Sequence, residues 1–132
     1  MRFLPTKVHG MLDYLMGVVL MIPWILKYEG PAAVVASLMG LSLVVYSFMT
    51  NYELGGIKLI PMRAHLILDV IGGLFLAASP WLFSFDDGLK IPFLVAGIFE
   101  LIVTMFTKTR ASDKPNEAEA QKAREWKGAV TR

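Results

Sequence analysis

Apolar positions along this chain run in four long stretches, and polar positions gather in the short segments between them. The stretches predict helices over about 5–26, 31–50, 61–83 and 90–107, each near the ~20 residues that a helix needs to cross a bilayer. Pro5, Pro31, Pro61 and Pro92 stand at the heads of these runs, where the N–H that proline lacks would have no partner. In lipid such segments must be helical, because no water is present to bond an open backbone. The links are short: Lys27-Tyr28-Glu29-Gly30, then Asn51 to Ile60 with a Gly55-Gly56 turn signal, then Ser84 to Gly88. Short links make successive helices antiparallel neighbours. The pattern therefore predicts an all-α membrane protein with four transmembrane helices, up-down-up-down.

Composition agrees with the pattern. The chain has 132 residues, 55% hydrophobic and 18% charged, with a mean hydropathy of +0.55. Four such runs in so short a chain leave no polar shell to bury them in water. There are no cysteines, which excludes disulfides, thiolate metal sites and cysteine nucleophiles. A basic flank and an apolar run open the chain as in a signal peptide. His9 and Asp13 interrupt the run, however, and no small-x-small cleavage site follows Pro23-Trp24, so it reads as a retained span.

Charge then sets the expected orientation. Arg2, Lys7, Lys58, Arg63, Lys108, Arg110 and Lys114 fall on one side of the spans, and only Lys27 and Lys90 on the other. The positive-inside rule predicts a multi-pass protein of the cell (inner) membrane with both termini and the middle loop cytoplasmic. Residues 1–110 are expected to form the membrane domain, and 111–132 a charged cytoplasmic tail, partly helical or disordered. Within the tail, Ser112-Asp113 would cap a helix opening at Pro115. Glu117, Glu119, Lys122, Arg124 and Glu125 suit solvent, and Ala120, Ala123, Trp126 and Val130 form a thin apolar stripe. Its mixed charge argues against a polybasic lipid anchor and against nucleic-acid binding.

The chain also repeats itself. Pro5, Lys7, His9, Asp13 and Gly17 match Pro61, Arg63, His65, Asp69 and Gly73 at an offset of 56. The offset becomes 57 for Pro23-Trp24 against Pro80-Trp81, Gly40 against Gly97 and Thr50 against Thr107. Two tandem helical hairpins follow, repeat 1 over about 5–51 and repeat 2 over about 61–108. Each holds an even number of spans, so both enter with one orientation. A pseudo-two-fold axis along the membrane normal is expected. Ser79-Pro80-Trp81, with Ile22-Pro23-Trp24 as its variant copy, resembles the signature of the SPW-repeat family of small integral membrane proteins. That resemblance implies this topology over roughly residues 5–108 and implies no biochemical activity.

Within the repeat frame most residues have scaffold uses. Trp24 and Trp81 at helix ends suit the bilayer interface, with Pro23, Ser79 and Pro80 shaping the last turn. Gly17, Ala36, Gly40, Gly73 and Gly97 let helices approach closely, inside the bundle or in a homo-oligomer. The His and Asp of each copy lie four apart on one helix face and can meet. At 1.5 Å per residue they sit about 6 Å and about 12 Å in from the proline. Running helix four backwards places Glu100 level with Asp69 and Thr104 level with His65. Ionisable groups at such depth should face the bundle interior.

The expected centre is therefore a polar layer of His9, His65, Asp13, Asp69, Glu100 and Thr104. Three carboxylates there cannot all stay ionised without protons, His⁺ or a cation to offset them. A non-catalytic structural or interaction role leads, with lipid as partner and neither cofactor nor metal. Proton or cation handling, as transport or pH sensing, comes next. A divalent metal on His and carboxylate ligands follows, then a haem held by His9 and His65. No serine elbow, phosphate loop or metalloprotease motif is present, so no catalytic residue is expected.

Overall fold

The computed structural model describes residues 1–111 and 117–131, the side chains of 117–120 excepted. Its elements are α1 (Thr6–Ile25), α2 (Pro31–Phe48), α3 (Met62–Leu82), α4 (Asp87–Phe106) and α5 (Glu117–Val130). The first four are each long and apolar enough to cross a membrane. The expected cap at Ser112-Asp113 and helix start at Pro115 lie outside the described residues, as do the side chains of Glu117, Glu119 and Ala120. From Gln121 to Thr131 every side chain is exposed, Trp126 and Val130 included.

The burial pattern is that of a protein dissolved in lipid. In α1 the buried positions are Thr6, His9, Gly10, Asp13 and Gly17, one seam at helical spacing. Its outward positions are large and apolar, among them Met11, Leu15, Val18 and Ile22. In α3 the buried seam likewise includes His65, Asp69, Gly73 and Ser79. Water would reverse this arrangement; hydrocarbon rewards it.

Helix starts and stops follow from the repeated frame. Pro5 and Pro61 are extended (φ −63° and −67°), and their carbonyls accept the N–H of His9 and His65 at 3.1 Å each. Both histidines are thus tied into the first helical turn. At the far end, Tyr28 N–H reaches back to the Pro23 carbonyl at 2.8 Å, and Phe85 N–H to that of Pro80 at 2.9 Å. Lys27 (φ 56°) and Ser84 (φ 51°) between them are left-handed. This six-to-one closure over a left-handed residue is the Schellman helix end. The Pro-Trp signature therefore builds the cap of each repeat's first helix.

One boundary differs from expectation. α4 begins at Asp87 rather than at 90, and Pro92 lies inside it. Asp87 places a carboxylate in the first turn, where the helix dipole favours it, and Lys90 Nζ pairs with it at 2.7 Å. Pro92 leaves the Gly88 carbonyl without its helical donor, at an exposed and uncrowded end of the helix.

Packing is dense within each hairpin, α1 on α2 and α3 on α4, and α2 also meets α3. Gly17 and Gly40 face each other, as do Gly73 and Gly97; a Cβ on Gly97 would strike the Gly73 carbonyl and Ala77. The expected close-approach glycines are used inside the hairpins, while Ala36 packs with Val35, Leu76, Phe85 and Phe93 in the apolar half of the core. Two short parallel bridges join the repeats, Leu4 with Thr107 and Thr50 with Ile60. Each ties the start of one hairpin to the end of the other. That exchange is what a pseudo-two-fold axis between the hairpins requires.

Candidate functional site

The half of the bundle beneath these bridges is polar. His9 and Asp13 point in from α1, and His65 and Asp69 from α3; all four are fully buried. Their ligating atoms converge. His9 Nε2 lies 3.1 Å from His65 Nε2 and 3.0 Å from Asp69 Oδ2. His65 Nε2 lies 2.9 Å from Asp13 Oδ2. The same-helix pairs are longer, 3.4 Å for His9–Asp13 and 3.3 Å for His65–Asp69. The spacing of four does bring each His to its own Asp, but the tighter partner belongs to the other repeat.

A second ring orients the first. Thr107 Oγ1 donates to the Val103 carbonyl at 2.7 Å and sits 3.0 Å from His9 Nδ1. Thr50 Oγ1 donates to the Tyr46 carbonyl at 2.6 Å and sits 2.9 Å from His65 Nδ1. Each hydroxyl has its proton committed, so the network assigns the hydrogen between Thr and His to the imidazole Nδ1. Tyr46 donates to Asp69 Oδ1 at 2.8 Å and Ser47 to Asp13 Oδ2 at 2.9 Å. The Tyr46 and Tyr52 rings pack on His65 at centroid distances of 5.1 and 5.9 Å. Gly10 leaves space that the Tyr52 ring fills. In that loop, outside the spans, burial raises the Tyr52 phenol above its ordinary range, which keeps it protonated.

The centre is sealed on the loop side. Arg2 Nη1 donates to the Thr107 carbonyl at 2.8 Å. Thr6 Oγ1 donates to the Glu53 carboxylate at 2.7 Å. Leu4 and Lys108 exchange backbone bonds with the end of α4, Leu4 N–H to the Phe106 carbonyl at 2.9 Å and Lys108 N–H to the Leu4 carbonyl at 3.0 Å.

The two halves differ in one respect. At the offset of 57, Tyr46 corresponds to Val103, Ser47 to Thr104 and Leu43 to Glu100. Val103 has no hydroxyl to give, and Asp13 Oδ1 is left without a hydrogen-bond partner among the described residues. Glu100 and Thr104 are buried as expected, yet neither bonds to the four converging residues; Glu100 Oε1 and Thr104 Oγ1 are likewise unpartnered.

Of the expected layer, then, four residues meet and two stand beside them. A haem between His9 and His65 is excluded by geometry, since nitrogens 3.1 Å apart leave no room for a macrocycle. Sequence reading missed Tyr46, Ser47, Thr50, Tyr52 and Thr107 as members. For Thr50 and Thr107 a signal existed, because both occupy matched positions of the repeat. Trp24 and Trp81 project from their helix ends, 64% and 58% exposed.

The family described as the SPW repeat domain matches residues 7–107. No curated protein and no solved structure matches the chain.

Proposed function

The chain belongs to the SPW-repeat family, and from that premise we propose a non-catalytic role in the membrane. The buried centre acts as a clamp that locks two helical hairpins into one body. The carrying observation is the exchange of partners: His9 bonds Asp69 at 3.0 Å and His65 bonds Asp13 at 2.9 Å, each across the repeat boundary. Within each hairpin the His–Asp pair is longer, at 3.4 and 3.3 Å.

Glu100 favours proton or cation handling as a second reading, because it adds a buried carboxylate that the clamp does not use. Proteoliposomes loaded with a pH-sensitive dye separate the two. Flux no greater than in empty liposomes is expected under imposed proton or cation gradients. A flux present in the wild type and lost in both His65→Ala and Glu100→Gln would replace the clamp reading with transport.

We further read both termini and the loop 49–61 as cytoplasmic in the cell membrane, from the asymmetry of Lys and Arg across the spans. Trp24 and Trp81 then anchor the opposite interface. Since cysteine is absent, single introduced cysteines report the side directly. A thiol at Ile57 should resist an impermeant reagent added outside intact cells, and one at Gly88 should react. The reverse pattern would invert the topology. The glycines available for close approach serve packing within the hairpins, and the neighbour proposed for the outer faces is lipid.

A further inference from the structure

We propose that His9, Asp13, His65 and Asp69 form a binding site for one divalent transition-metal ion of the zinc class, held tetrahedrally between the repeats. The proposal deepens the clamp reading and rests on it, since both use the same four side chains. Geometry comes first. The five imidazole–imidazole and imidazole–carboxylate separations run from 2.9 to 3.4 Å. Four ligands at ~2.0–2.1 Å from a central ion at tetrahedral angles stand ~3.3–3.4 Å apart. Five of the six edges between the four ligand atoms thus come close to those of a zinc site, and all four atoms lie within 4.8 Å of one another.

The ring nitrogens are presented correctly for a metal. Because Thr107 and Thr50 hold the Nδ1 hydrogens, both Nε2 atoms are free to offer lone pairs to the centre. A neighbour that fixes the tautomer in this way is the usual support of a metal-bound histidine. Asp13 supplies the independent sign. It is fully buried with Oδ1 unpartnered while Oδ2 points into the centre. An adjacent cation would offset the charge of a carboxylate buried in this way.

Charge balance permits binding, because two neutral imidazoles, two carboxylates and one M²⁺ sum to zero. Two nitrogens and two oxygens select against Ca²⁺ and Mg²⁺, which take six or more oxygens, and for Zn²⁺ or a similar ion. All four positions are filled by protein, as in structural sites and unlike catalytic ones.

The test is metal content. The full chain, carrying an affinity tag free of histidine, is expressed in zinc-replete medium, purified in detergent without chelator, and measured by elemental mass spectrometry. About one zinc per chain is expected, falling at least roughly tenfold in a His9→Gln/His65→Gln variant that elutes as a single species. Wild-type protein carrying less than about a tenth of an equivalent of zinc, cobalt, manganese or iron from replete media overturns the site. So does a variant that keeps the metal. Should the variant aggregate, wild type grown in cobalt decides: intense visible bands of tetrahedral cobalt(II) support the site, and octahedral or absent bands overturn it. Stability of Asp69→Leu separates this proposal from the clamp. Metal-free wild type with a destabilised variant removes the ion alone, whereas an undamaged variant removes the clamp.

Discussion

Asp69→Leu is expected to cost the folded protein about 3 kcal/mol or more, the range for removing one partner of a buried ion pair. Asp69 uses both carboxylate oxygens, Oδ1 for Tyr46 and Oδ2 for His9. Leucine would strand the tyrosine hydroxyl and leave two histidines to share one aspartate. Asp13→Leu should cost less, because along with the Ser47 and His65 bonds to Oδ2 it removes Oδ1, a buried oxygen that has no partner. The double variant should cost less than the sum of the two, since all four side chains belong to one network. Thermal unfolding in detergent would show this as a fall of roughly 10 °C or more for Asp69→Leu. Equal stability of wild type and both single variants would show that the polar centre does not hold the repeats together.

Gly97→Leu should be comparably damaging, for a steric reason. The first atom of the new side chain meets the Gly73 carbonyl and Ala77, which are backbone and a short side chain with nowhere to move. α3 and α4 would have to separate along their seam. Overpacking of this kind costs about 1–3 kcal/mol for a few added methylenes and more where backbone must shift. Gly88→Ala is the control, since nothing lies near that position, and it should fall within about 0.5 kcal/mol of wild type. If Gly97→Leu melts with wild type, the glycine seam is not the packing surface of the second hairpin.

Much of this architecture was legible from periodicity alone. Four apolar runs of spanning length, short links and a doubled frame determine antiparallel hairpins, because lipid leaves the backbone few options. The sequence also pointed to His9, Asp13, His65 and Asp69, since ionisable side chains at matched depth in two spans have to face inward. Three things were not legible. Spacing along a helix shows that His9 can meet Asp13, but only the folded protein shows that Asp69 is closer. The supporting hydroxyls are hidden for a different reason. Thr50 and Thr107 lie beyond the last turns of α2 and α4, and polar residues at helix ends usually need no explanation. Glu100 is buried at the expected height, and whether it would bond the quartet was not legible, because equal height on a neighbouring helix does not fix where a carboxylate points.

The exchange of partners has a consequence in time as well as in space. Synthesis proceeds from the N-terminus, so α1 and α2 reach the bilayer before α3 and α4 do. During that interval Asp13 can turn to Ser47 from its own hairpin, but His65 has not yet arrived, and His9 lacks both Asp69 and Thr107. A half-assembled protein thus holds ionisable groups in hydrocarbon with only part of their final company. The first hairpin is a guest that the membrane receives on credit until the second arrives. Its histidine and aspartate therefore gain their full set of partners only once the second hairpin stands beside them.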